Sequence, residues 1–202
     1  MIDVATLVAE FEQVLDSVYG LYLDSTMGFA YALQFVGQAE SASLAAIRSR
    51  DPELATPAYV DSLPLTFGRG HPNATDAVAL HQVSIGEFKE RMRKGGRNYR
   101  EIANLCLVLL YQFWEDHYRG AIASALGIEK NQLTSNLFGD LRQLRRSILH
   151  NRALAIPDVR SNTILTWFKP DDPIQLDERM FEDLVKAVRA ALAELRTRYA
   201  PT

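Results

Sequence analysis

The sequence lacks several features that mark specialised classes of protein. It has one cysteine, Cys106, which excludes an intramolecular disulfide and a cysteine-rich zinc site. It contains no run of about 18 apolar residues and opens with no basic-then-apolar leader, so we expect neither a membrane span nor a secretory signal. Its 22 basic residues are outnumbered by 25 acidic ones, which excludes a polycation that coats nucleic acid. We therefore expect a soluble cytoplasmic protein with no membrane partner.

Familiar catalytic motifs are also missing. None of the four histidines lies in a His-Glu-x-x-His frame, no Cys-x-x-Cys occurs, and no Gly-x-Ser-x-Gly elbow is present. The pair Gly68-x-Gly70 is not followed by the Gly-Lys-Ser/Thr of a phosphate-binding loop. The sequence therefore predicts no metal ion and no cofactor. Cys106 falls on an apolar helical stripe, where we expect it to pack in the core.

The composition favours one helical domain. With 202 residues, 48% of them apolar, the chain has the size of roughly one domain, and Leu, Ala, Glu and Arg are common. We predict an all-α fold, a bundle of four or more helices with at most one short β-hairpin, forming a single domain over residues 1–202. Its parts are a long N-terminal helical segment (1–50), a long loop with a short helix (51–97), two central helices (98–152), and an extended segment with a C-terminal helix (153–202).

The spacing of apolar residues and the capping residues predict the bounds of these elements. Spacings of three and four through the first segment predict one long helix, or two helices with a break near residues 23–25. A central helix starts near residue 98 and ends at Gly127. Residues 164–168 and 174–176 could form a small hairpin or two extended segments. Asp177 is expected to cap the last helix.

Positive charge is concentrated in two segments of this acidic chain. Residues 89–100 contain six basic side chains and one acidic one, and residues 140–160 contain five basic and two acidic ones. Such segments indicate either a local anion site, such as one for a phosphate backbone, or solvated helix faces.

The second of these segments contains the most informative helix, residues 137–151. On a helical projection Arg146 and His150 project from one side, with Arg142 next to them and Arg145 on the flank. The opposite side carries an apolar stripe of Leu137, Leu141, Leu144 and Ile148. Asn151 returns toward the buried side, where its amide could cap the helix end. Arginine binds phosphate oxygens, and histidine moves protons near neutral pH, so the cluster suits work on a phosphodiester. A surface cluster favoured by the helix dipole is the other interpretation.

Two stretches of sequence resemble the HEPN (higher eukaryotes and prokaryotes nucleotide-binding) superfamily. The first is Leu-Arg-x-Leu-Arg-Arg-Ser-Ile-Leu-His-Asn, which contains the pattern Arg145-x-x-x-x-His150 followed by Asn151. The second is the segment Tyr111–Arg119, which is similar to the aromatic-Trp-Glu helix that precedes the motif in a bacterial group of this superfamily. The resemblance covers residues 98–152 well and the last helix loosely.

The resemblance implies a helical bundle that dimerises and, in many members, acts as a metal-independent endoribonuclease in toxin or antiviral defence systems. It implies Arg145 and His150 as the catalytic pair, with Glu115 and Asn151 as supporting groups. Arg146 stands where the superfamily often has Asn, Asp or His, which adds charge for phosphate but removes a short orienting group. Phosphate or RNA binding is expected from three arginines: Arg142, Arg146 and Arg152.

Cleavage through the 2′-hydroxyl needs a base, an acid and positive charge on the phosphorane. One chain supplies one well-placed histidine, whereas a homodimer would bring two into one cleft without further sequence. The function we favour is thus an RNA-cleaving hydrolase acting as a homodimer, with room for a regulatory protein partner. The alternative is a non-catalytic module of the same type that binds a nucleotide, a nucleic acid or a protein.

Overall fold

A computed structural model describes residues 3–71 and 74–199 of the chain. The chain divides into two compact units, each described separately below. Unit 1 comprises Met1–Ser25 and Arg100–Thr202, and unit 2 comprises Thr26–Tyr99. The architecture confirms the predicted fold class, an α-helical bundle with one short β-hairpin. The assignment of residues 1–202 to a single domain stays a prediction.

The first helix, α1, runs without interruption from Val4 to Arg48. Of the two predicted alternatives, one long helix is therefore correct. The boundary between the two units nevertheless falls within α1, beside the predicted break. Its first half buries a stripe at helical spacing, because every third or fourth residue returns to the same face. The stripe consists of Val4, Leu7, Val8, Phe11, Leu15, Val18 and Tyr22.

The central helix of unit 1 has three consecutive parts. Helix α4 (Arg97–Phe113) continues into a π-helical turn (Trp114–Tyr118) and then into α5 (Arg119–Ala125). The helix ends as predicted, with Gly127 at a positive φ of 67° and the Ile128 amide donating to the Ala123 carbonyl. Glycine suits this position because it adopts left-handed backbone angles without a steric cost.

Two more helices complete unit 1. Helix α6 spans Asn136–His150, and α7 spans Glu178–Arg198. The predicted cap of α7 is confirmed, since the Met180 amide donates to the Asp177 carboxylate at 2.8 Å. Together with α1, α4 and α5, these helices bury one continuous core that includes Cys106.

Residues 51–97 contain the predicted short helix, but unit 2 corrects the long loop that was expected around it. This stretch contains α2 (Pro57–Ser62), the antiparallel strands β1 (Pro64–Arg69) and β2 (Val78–Ser84), and α3 (Ile85–Met92). The hairpin escaped prediction because its strands are mostly exposed on both faces, so they lack the alternation that identifies a half-buried strand.

Of the two alternatives predicted for residues 164–168 and 174–176, the hairpin does not form in the part of the chain that the structure describes. Only an isolated antiparallel bridge forms there, between Leu154 and Pro173. Backbone hydrogen bonds of this region go to other partners, notably the side chain of Asp140, which leaves no ladder between the two segments. Among residues 3–71 and 74–199, no helix is both long and apolar enough to cross a bilayer.

Candidate functional site

The predicted catalytic pair lies at the C-terminal end of α6. Arg145 Nη1 is 3.1 Å from His150 Nε2, and the imidazole is exposed to solvent. Because arginine only donates, a hydrogen bond in this contact requires Nε2 to be the acceptor. The arrangement holds an imidazole beside a permanent positive charge, and both groups can reach a ligand from solvent.

Arg146 is engaged by neighbouring side chains. Its guanidinium forms an ion pair with Asp158 at 2.7 Å and donates to Gln143 at 3.0 Å. Asp158 belongs to the 3-10 turn Pro157–Ser161, whose position no periodicity of α6 could reveal. Much of the extra charge that Arg146 adds is therefore balanced within the chain.

The end of α6 is shaped by residues 151–153. The Asn151 amide nitrogen donates to the Leu154 carbonyl at 2.9 Å, so the side chain secures the turn rather than the last helical carbonyls. Arg152 and Ala153 both have left-handed backbone angles, with φ of 55° and 57°. Such angles cost non-glycine residues roughly 1 kcal/mol or more each. The turn places the exposed Arg152 directly after the predicted catalytic pair.

Glu115 belongs to a separate ion-pair group on the preceding helix. Its carboxylate is 3.1 Å from Arg119 Nη1, four residues along the helix, and 2.9 Å from Lys130 Nζ. Burial by itself would raise the pKa of Glu115, but hydrogen bonds from Lys130 and Arg119 outweigh burial and hold that pKa below its usual value of 4.5. Glu115 therefore stays ionised and is engaged by these two cations rather than by His150.

The π-helical turn positions Glu115. π-Helical turns within α-helices are rare and are frequent at functional sites. Here the turn carries Trp114, which is buried and stacks on Phe138 of α6 with ring centroids 3.8 Å apart. Trp114 is thus a core residue, and the stacking fixes the central helix against α6.

Two buried polar residues of α6 that the sequence analysis missed support the site. The Asp140 carboxylate accepts hydrogen bonds from the Ile164 and Leu165 amides at 2.7 and 2.8 Å. The Ser147 hydroxyl accepts from the Ile156 amide at 3.1 Å. Both lie on the buried side of α6, seven residues apart, and a small polar residue in an apolar stripe is the signal that could have revealed them.

The other predicted site residues are spread along one helix and one turn. Arg142 is exposed on α6, one turn before Arg145 and Arg146. Within the described residues, no three His, Cys, Asp or Glu side chains converge in a group that could hold a metal ion. Cys106 is buried in the core as expected, and burial raises the pKa of its thiol to about 11, which keeps it protonated and unreactive.

Comparisons of the chain with known families, proteins and structures found no match. No protein-family model matches the sequence, and neither a curated protein nor a solved structure matches the chain. The relation to the HEPN superfamily therefore stays a prediction that rests on the motif residues of the two helices.

Proposed function

We propose that this protein is a metal-independent endoribonuclease of the HEPN type whose active site is completed by a second copy of the chain. The observation that carries the proposal is the contact between Arg145 and His150 at an exposed helix end. It joins a proton-transfer group to a phosphate-binding group at the spacing expected from the resemblance.

The proposed reaction begins with removal of the proton from a ribose 2′-hydroxyl by one imidazole. The 2′-oxygen then bonds to phosphorus, the bond from phosphorus to the 5′-oxygen breaks, and a protonated imidazole gives its proton to that oxygen. Arg145 stabilises the negative charge that develops on the phosphorane oxygens. The products are a 2′,3′-cyclic phosphate and a 5′-hydroxyl.

The reaction needs a base and an acid at the same time, and each chain contributes one His150. A two-fold dimer would place two such residues in one cleft, because a symmetric contact repeats every group. RNA is the proposed substrate, and Arg142, Arg146 and Arg152 are proposed to hold phosphates beside the scissile one. By the same resemblance we place the activity in the cytoplasm, in a toxin or phage-defence role restrained by a partner protein.

The test is cleavage of a mixed RNA pool by pure protein in the presence of a chelator. We expect cyclic-phosphate ends, and loss of about 100-fold or more of the activity in His150→Ala, as for removal of a general acid or base. The chain offers a matched control in unit 2, where Arg91 and His81 are 3.4 Å apart outside the motif. His81→Ala should cleave like the wild type. Full activity in a dimeric His150→Ala protein would refute the proposal.

The alternative is a non-catalytic module that binds RNA, a nucleotide or a protein partner. Its supporting observation is that Glu115 and Arg146 are both neutralised by neighbours, so two of the predicted polar groups are engaged within the chain. RNA binding that Arg145→Ala weakens, with no cleavage by the wild type, would favour this alternative.

A further inference from the structure

A cleft of about 170 Å³ opens in unit 1 between the central helix and the start of α6. We call it the Tyr111 cleft. Its polar lining comes from Tyr111, Glu115, Arg119, Thr134, Ser135 and Arg142. Two of these residues, Glu115 and Arg142, are predicted site residues, whereas nothing above gives the others a role in binding.

The Tyr111 side chain is the most specific feature of this cleft. Only 8% of the residue is exposed, and the residue lines the cleft. Among the described residues, its hydroxyl is not one of the buried side-chain atoms that lack a partner. A ligand oxygen bound in the cleft could therefore accept a hydrogen bond from this phenol in place of water.

The protonation state of Tyr111 makes it a donor. Burial raises the pKa of Tyr111, and the negative charge of Glu115 adds to the rise, while Arg142, Arg119 and Arg145 oppose it. The phenol therefore keeps its proton at neutral pH. Arg142, which lines the cleft, precedes Arg145 by three residues on α6.

The charge of the lining favours an anion. Glu115 is already paired with Arg119 and with Lys130, so its negative charge is compensated. Arg142 forms no ion pair with a carboxylate in the part of the chain that the structure describes. The net charge around the cleft is positive, and a phosphate oxygen could accept from both the Tyr111 hydroxyl and the Arg142 guanidinium.

Gly139 of α6 also lines the cleft, and a Cβ at this position would meet no atom within 4 Å, so a larger side chain could be placed here. The Ser135 hydroxyl, which makes no capping hydrogen bond to α6, lines the same space.

We propose that the Tyr111 cleft binds a phosphate group of an RNA strand next to the one held by Arg145 and His150, with Tyr111 and Arg142 as its ligands. This inference rests on the proposed function for the identity of the strand. It adds a binding subsite that lies wholly within one chain and whose key donor, Tyr111, is outside the Arg-x-x-x-x-His motif.

The test measures binding without cleavage. A short, fully 2′-O-methylated oligoribonucleotide lacks the nucleophile, so its affinity for the full chain can be followed by fluorescence anisotropy. We expect Arg142→Gln to weaken binding about tenfold and Tyr111→Phe, which removes one oxygen, about threefold. Inorganic phosphate should compete with the oligonucleotide in the wild type. Circular dichroism of each variant checks that the fold is kept.

Matched controls separate the cleft from general charge effects. Arg179→Gln removes an equal charge from an exposed residue outside the lining and should leave affinity near that of the wild type. Gly139→Glu places a carboxylate in the cleft and should abolish binding, whereas Gly28→Glu, at another exposed helical glycine with free space, should not. Equal affinities for Arg142→Gln, Tyr111→Phe and Arg179→Gln would overturn the inference.

The outcomes also separate this inference from the ribonuclease proposal. If the wild type does not cut RNA but binds the methylated strand through Tyr111 and Arg142, the subsite stands and the nuclease fails. If the wild type cuts RNA while Tyr111→Phe and Arg142→Gln bind the methylated strand like the wild type, the nuclease stands and the subsite fails. Binding of inorganic phosphate without binding of the strand would overturn RNA as the source of the phosphate.

Discussion

Unit 1 and unit 2 differ in the interactions that stabilise each of them internally. Unit 1 buries a continuous core from five helices, with rings such as Phe11, Trp114 and Phe181 almost fully enclosed. The core cluster of unit 2 has only three buried residues, Val36, Val83 and Phe88. Since burial of apolar surface is the main stabilising term in folding, unit 1 should carry most of the stability of the chain.

Unit 2 relies more on polar contacts. Lys89 of α3 lies 2.9 Å from the carboxylate of Glu40 in α1 and 2.5 Å from that of Asp61 in α2. Large apolar residues of this unit remain exposed, including Phe35 at 72% and Leu80 at 67%. The candidate site lies in unit 1, and a site built on packed helices keeps its geometry better than one on a weakly packed hairpin.

The largest effect is expected from Leu107→Ala in the core of unit 1. Leu107 is fully buried, so its truncation should cost about 4 kcal/mol through lost burial and a residual cavity. Thermal or denaturant unfolding measures the loss. Leu105→Ala, on the same helix at a residue that is 56% exposed, is the control and should cost far less. Similar costs for the two variants would contradict the packing described for unit 1.

Phe88→Ala tests whether unit 2 opens independently. The loss should be about 3 kcal/mol, at the low end for phenylalanine, because so small a cluster can collapse around the gap. Hydrogen exchange should speed up in β1, β2 and α3 and stay slow in α4, α6 and α7. Equal acceleration in both units would show that they unfold as one.

Asp140→Ala removes the carboxylate that holds residues 163–165 against α6. Leaving buried amides without an acceptor should cost about 2 kcal/mol, which is smaller than the effect of a large core truncation. The midpoint of unfolding in urea measures this cost. Asp183→Ala, at a surface ion pair with Lys186, should change the free energy of unfolding by about a few tenths of a kcal/mol at most. An equally small effect at Asp140 would argue against its anchoring role.

Lys89→Met keeps the length of the side chain but removes both ion pairs of unit 2. We expect a loss of about 1 kcal/mol, confined to unit 2 and smaller at high salt. Interactions with Asp61 and Glu40 raise the pKa of Lys89, so their contribution is present below its usual value of 10.5 and is lost at higher pH. The ion pairs would not be the cause if the difference in stability between Lys89→Met and the wild type stayed the same at high salt and at a pH above 10.5.

The smallest effect concerns the ion-pair group of Glu115 in unit 1. The pKa of Glu115 is lower in the folded state than its usual value of 4.5. The stabilisation from its ion pairs is therefore fully present above pH 4.5 and is lost as the pH falls through the lower, folded-state pKa. Glu115→Gln should therefore be less stable than the wild type by about 0.5 kcal/mol at neutral pH and equally stable in strong acid. A constant difference across this range would mean that charge is not the cause.

Much of unit 1 could be predicted from local patterns. The stripe of α1, the helix ending at Gly127 and the cap at Asp177 each depend on neighbours along the chain, so spacing and residue type were sufficient. The burial of Cys106 followed from the same spacing. The Glu115–Arg119 pair was equally accessible because its partners are four residues apart.

The errors arose where partners are distant in the sequence. Arg146 pairs with Asp158, which the spacing within α6 could not reveal, and residues 163–165 bond to Asp140 rather than to a second strand. The two strands of unit 2 show little alternation of apolar and polar residues, so the sequence pattern does not reveal them. They are nevertheless paired with each other by backbone hydrogen bonds.

Residue order along the chain was thus enough to establish the helices, their buried faces and the presence of an Arg–His pair on one of them, because helical periodicity is a local property. The Tyr111 cleft, the neutralisation of Glu115 by Lys130 and the anchoring of α6 by Asp140 arose only when separate segments packed together. Their physical cause is that buried polar groups and charges must find partners, and those partners are chosen in space.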